Sequence, residues 1–164
     1  MRSERFMHID PDAYHNNELS LHDCTANEVS FSDGVLHFQL PDGFWVTPSH
    51  PENPYGKTVR TDMAAVEFTI QDLEDITAEV FTAYSFLGLK RTRVDTWTMA
   101  QLMTMINSGK CTLEFVTQYR SYFEQMWHCV IHSGKKPYYR DCHLYLPQTK
   151  AAFYWNALCP DREW

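Results

Sequence analysis

Glu28-Val29-Ser30-Phe31-Ser32-Asp33-Gly34-Val35-Leu36-His37-Phe38-Gln39-Leu40 is the stretch that sets the fold class. Apolar and polar residues alternate on both sides of Asp33-Gly34, and Asp-Gly accommodates the positive φ angles of a tight two-residue turn. The segment therefore reads as a β-hairpin with one face turned to a core. A second Asp-Gly, at 42–43, precedes Phe44-Trp45-Val46 and predicts another turn into a short strand. Pro48, Pro51, Pro54 and Gly56 then make 47–58 the longest loop.

Downstream, Ala64 to Ile70 alternates as a strand, Gln71 to Asp75 turns the chain, and Ile76 to Phe86 follows as the expected partner of 64–70. Leu73, Ile76, Val80, Tyr84 and Leu87 also fit a helical face. The Thr, Val and aromatic content of the segment favours strand. The principal helix is expected over 98–108, with Thr98 as its N-cap and Met99, Leu102, Met103 and Ile106 as its buried stripe. Asn107-Ser108-Gly109 supplies its stop. Residues 112–133 satisfy both periodicities; aromatic and β-branched content again selects strands, and His143, Tyr145 and 151–155 add two more. The expected class is α+β: an antiparallel, strand-rich sheet with one helix packed on one face. Residues 1–18, polar and mixed, are expected to be loosely ordered or to drape over a single domain spanning 19–164.

With 164 residues, the chain is long enough to bury a real core without disulfides or metal. Its five cysteines are odd in number and widely spaced, and residues 1–20 contain no apolar signal-peptide core, so reduced thiols in a cytoplasmic protein are expected. No apolar run is long enough to cross a bilayer. The net charge of −7 disfavours nucleic acid and anionic membrane and suits a basic protein partner.

Glycine-rich phosphate loops, nucleophile elbows and the strong zinc-binding spacings are missing from the sequence, so neither cofactor nor metal is expected. Four weaker clusters remain. His22-Asp23-Cys24, echoed by Asp141-Cys142-His143, joins imidazole to thiol, a combination suited to metal binding or nucleophilic chemistry. His128 and His132 would share one metal ion on a helix but lie ~13 Å apart on a strand. Lys90-Arg91-Thr92-Arg93 and Lys135-Lys136-Pro137-Tyr138-Tyr139-Arg140 are basic and partly aromatic, and both fall in expected loops. Asp72, Glu74, Asp75 and Glu79 form an acidic run, expected in a solvated turn.

The opening Leu21-His22-Asp23-Cys24, Val29 to Leu36 and Asp42-Gly43-Phe44-Trp45, with Ile106 to Lys110 and the closing Tyr154-Trp155-Asn156, resembles a group of uncharacterised small bacterial proteins. Proteins with this style of hairpin opening include predicted immunity proteins of bacterial toxin systems. The likeness spans about residues 20–158 and rests on turn and core residues, so it implies a fold and carries over no catalytic residue. The favoured reading is a non-enzymatic, immunity-like protein-binding protein, with His22 and Asp23 among the candidate contacts. The alternative is a small-molecule binder or minor hydrolase with an aromatic-lined pocket built from Trp97, Trp127 and Trp155.

Overall fold

A computed structural model describes residues 6–11 and 18–164. Its first hairpin is the one announced by Asp33-Gly34: β4 (Glu28–Ser32) and β5 (Val35–Leu40) pair antiparallel, Ser32 opposite Val35. Asp33 and Gly34 both have positive φ, 52° and 73°. Before them come β1 (His8–Asp10), β2 (Leu19–Ser20) and β3 (Cys24–Ala26). After them come β6 (Trp45–Val46), β7 (Val59–Thr61) and β8 (Ala64–Thr69). A 3₁₀ turn at Leu73–Asp75 leads to β9 (Thr77–Phe86) and β10 (Leu89–Thr98). The helix α1 (Met99–Asn107) is followed by β11 (Cys111–Arg120), β12 (Glu124–Ser133), β13 (Tyr139–Pro147), β14 (Ala151–Trp155) and β15 (Leu158–Glu163).

These strands form three antiparallel sheets, in the orders β1-β14-β8-β5-β4, β10-β9-β13-β12-β11-β3 and β15-β7-β6-β2. The core lies between the first two, where Phe38 of β5 meets Phe68 of β8 and Phe115 of β11 edge-on. The expected antiparallel, strand-rich architecture with one helix is present; among the described residues it is mostly β, with three sheets in place of one and a single nine-residue α-helix, so the α+β class fits only loosely. Helix α1 begins as expected, with Thr98 and Gln101 in a reciprocal capping box, and buries Met99, Leu102 and Ile106. Its last residue ties it to the first sheet. The Asn107 carboxamide accepts from the Val29 N–H at 2.9 Å and donates to the Val29 carbonyl at 2.7 Å, taking the place of a strand neighbour at the edge of β4.

Three further expectations are corrected. Strand β8 does not pair with β9; it lies between β5 and β14, while β9 joins the second sheet. Strands β5 and β14 fill both sides of β8; Ile70 donates to the Gly34 carbonyl, extending the β5–β8 pairing, and Asp72 then caps a 3₁₀ turn that redirects the chain. Lys90 to Arg93 lie on strand β10, not in a loop. The acidic run divides: Asp72 caps the turn, whereas Glu79 is on β9 and accepts a hydrogen bond from the Tyr145 hydroxyl at 2.9 Å. Within the segment expected to be loose or draped, His8–Asp10 pair with β14; residues 1–5 and 12–17 lie outside the described residues. At the second Asp-Gly the glycine is dictated by space as well as by φ. A Cβ on Gly43 would come within 2.3 Å of Asp62 O and Thr61 Oγ1.

Candidate functional site

His22 and Asp23 sit in the turn between β2 and β3. The His22 Nδ1 donates to the Val116 carbonyl at 2.6 Å and its ring stacks on Trp164 at 5.1 Å. Trp45 packs beside Trp164, donates its indole N–H to the His22 carbonyl at 3.0 Å, and carries the Arg60 guanidinium 4.8 Å above its ring. The neighbouring Cys24 is fully buried, its Sγ 3.4 Å from the His22 carbonyl. Burial pushes its thiol up to about 12, so it stays protonated and is no nucleophile at neutral pH. Asp141-Cys142-His143 splits by strand alternation. Cys142 points inward, its pKa likewise raised by burial to about 12, while Asp141 and His143 face out. All five cysteines are unbridged.

The three tryptophans do not converge. Trp97, Ala78, Leu144 and Trp127 occupy one row across β10, β9, β13 and β12, which sets the two indoles three strands, roughly 14 Å, apart on the same face. Trp127 is buried against Phe115, and Trp155 belongs to the first sheet, stacked on His8 and edge-on to Phe44. Trp97 borders an opening of about 440 Å³, with the Arg140 guanidinium 5.0 Å above its ring, and Trp155 borders a separate one of about 250 Å³ beside His8 and His50.

The opposite face of the second sheet carries pairs that alternation alone would reveal once the register is known. Thr96, Glu79, His143, His128 and Thr117 form one row. His128 bonds Asp141 at 3.0 Å and His132 bonds Glu114, so the two histidines serve different carboxylates on opposite neighbouring strands. Tyr145 donates to Glu79, and burial together with that bond raises its phenol above the usual range. Among the described residues no three His, Cys, Asp or Glu side chains are placed to hold one metal ion. The His128–Asp141, His132–Glu114 and Tyr145–Glu79 bonds each tie neighbouring strands together, while His143 is held by ring contacts with Phe81 and His128.

A feature not expected from sequence lies at the sheet's other end. Pairing of β9 with β13 runs from Thr77 to Phe81, but pairing with β10 continues to Phe86. Residues 82–93 therefore extend beyond that third strand as a two-stranded ribbon closed by Leu87-Gly88, both at positive φ, 49° and 77°. Tyr84, Phe86, Leu87 and Leu89 are all exposed, and Leu87 at the apex is 87% exposed. Lys90, Arg91 and Arg93 line the returning strand, Arg93 bonding Asp95 at 2.8 Å. No protein-family model, curated protein or solved structure matches this chain.

Proposed function

We propose that the protein is a non-enzymatic binding protein, immunity-like in the sense its sequence resemblance implies, and that the projecting β9–β10 ribbon enters a protein partner. The observation that carries this reading is Leu87. A two-residue turn with positive φ at both central positions suits Asn, Asp or Gly, and a branched apolar residue there is strained by roughly 1–2 kcal/mol. Its side chain gains no burial in return. Strain and exposed apolar area at one apex serve a contact better than they serve the fold. A two-stranded ribbon is also marginally stable by itself, so docking into a partner would order it further.

The charge of the ribbon specifies the partner. The protein as a whole is acidic, which favours a basic partner at long range, but Lys90 and Arg91 beside the apex ask for an acidic rim around an apolar pocket. The test compares wild type with Leu87→Asn, which suits the turn. Each is immobilised and challenged with extract of the native host, and the protein retained by wild type is then purified for titration. The expected result is at least about tenfold weaker binding by Leu87→Asn, or ~1.4 kcal/mol. Association should also slow as salt rises, the Debye length shrinking from ~10 Å at 0.1 M to ~3 Å at 1 M. Equal retention by both proteins would overturn the assignment of the ribbon. A dimer that Leu87→Asn dissolves would replace the foreign partner by a second copy.

A further inference from the structure

Beside α1, on the face of the second sheet that carries Trp97, a groove runs from the start of the helix past its end. Its first part, about 440 Å³, is walled by Trp97, Ala100 and Met105. Its second part, about 540 Å³, also touches Met105 and is walled by Lys110, Lys135, Lys136 and Arg140. The residues lining the two parts include no carboxylate, in a protein where acids outnumber bases 21 to 14. Among the described residues none of these four cations forms an ion pair with a carboxylate. Arg140 joins the two halves: its guanidinium lies over Trp97 while the same side chain lines the basic end. Its Nε is buried and, among the described residues, has no hydrogen-bond acceptor. A buried charged donor without an acceptor is costly, and of the three such buried side-chain atoms among the described residues, with Thr82 Oγ1 and Trp127 Nε1, Arg140 Nε is the one that carries a charge.

The helix C-terminus at the basic end would ordinarily repel an anion. Here its carbonyls are occupied: Thr104 O accepts from Ser108 N, Met105 O from Lys110 N and Ile106 O from Gly109 N. The cationic side chains therefore dominate the local field.

We propose that this groove binds a small aromatic phosphate of the nucleoside monophosphate class, its ring toward Trp97 and Arg140 and its phosphate among Lys110, Lys135 and Lys136. A planar guanidinium already stacked on an indole is a platform on which a base extends the stack, and flanking ammonium groups hold the phosphate. Neither half recognises such a ligand alone. An apolar wall binds the ring with little selectivity, and exposed lysines bind inorganic phosphate weakly.

Isothermal titration of the full chain with adenosine monophosphate, adenosine, inorganic phosphate and hexyl phosphate tests the proposal. Adenosine monophosphate should bind with a dissociation constant of about 1 mM or tighter, and each of the other three at least about tenfold more weakly. Lys135→Ala with Lys136→Ala, both exposed and remote from the core, should weaken adenosine monophosphate about tenfold without changing the melting temperature. Arg140→Lys keeps the charge and removes the planar stack, so it should weaken adenosine monophosphate more than it weakens inorganic phosphate. Failure of adenosine, guanosine and uridine monophosphates to bind at several times that concentration would overturn the proposal, as would binding indifferent to the lysine pair. Equal binding of hexyl phosphate would overturn its aromatic part. Tighter binding of an oligonucleotide lacking terminal phosphates would replace it by a nucleic-acid surface. None of these outcomes depends on Leu87.

Discussion

Two hairpins in this chain close with the same backbone and opposite chemistry. Asp33-Gly34 and Leu87-Gly88 are both two-residue turns with positive φ at each position. Around Asp33-Gly34 every level agrees: the turn residues favour the geometry, the flanking strands bury Val29, Leu36 and Phe38, and Ile70 donates to Gly34 O. Around Leu87-Gly88 the levels part. The turn holds an unsuitable residue, the flanking side chains are exposed, and a Cβ on Gly88 would meet nothing within 4 Å. Where local preference and tertiary packing agree, a segment contributes to the fold; where both are set aside at one place, as at Leu87, the fold does not account for the residue, which is why the proposed contact is placed there.

That contrast breaks first, if it is wrong, on a pair of phenylalanines. Phe38 is fully buried on β5, in edge contact with Phe68 and Phe115, so Phe38→Ala should lower unfolding free energy by about 3–5 kcal/mol. Phe86 on β9 is exposed next to the second turn, and Phe86→Ala should stay within about 0.5 kcal/mol. Urea unfolding of both variants measures the difference. Equal losses would mean that the ribbon packs against the body and does not project.

The next effect is a pH dependence confined to the packed body. Burial raises Cys24 and Cys142 to about 12, and pushes Cys129 well above the ordinary thiol range; none lies in the ribbon. Unfolded thiols ionise near pH ~8.5, so above that the unfolded chain binds fewer protons than the native one. The stability these thiols contribute is fully present below that pH and is lost as pH rises toward about 12. Urea midpoints measured at neutral pH and at two alkaline values should fall steadily through this window. In native protein at pH 8, Cys24, Cys129 and Cys142 should resist a thiol reagent, while the half-buried Cys159 reacts first.

The sequence made the first hairpin legible because alternation and turn chemistry are local signals, and the capping box and Gly109 stop made α1 legible for the same reason. Strands β11 and β12 were decided correctly by composition where periodicity was ambiguous. Leu87-Gly88 was illegible because a leucine gives no turn signal. Lys90 to Arg93 were then assigned to a loop, since charge without alternation reads as solvated chain. The separation of β8 from β9 depends on β5 and β14 taking both sides of β8, a non-local matter that residues 64–86 do not encode. The groove beside α1 is assembled from 97–105, 110 and 133–140, so only the register that brings Arg140 over Trp97 makes it visible. Placing Trp97, Trp127 and Trp155 in one pocket failed because three residues of one type carry no information about shared neighbours.

The smallest effect is the most discriminating, because its sign differs between the two turns. Asp33→Leu places a branched apolar residue at φ 52°, where Asp is well tolerated, and should destabilise the protein by about 1 kcal/mol. Leu87→Asn makes the reverse change at φ 49° and should stabilise by roughly 0.5–1 kcal/mol, raising the melting temperature by a few degrees in a domain of this size. A residue present for the fold loses stability when replaced; Leu87 should gain it, and lose only the partner. Thermal scans of the two variants beside wild type read the signs directly. Loss of stability in Leu87→Asn would show that the apex leucine has a packing partner in the native molecule, and the two hairpins would then differ in chemistry but not in role.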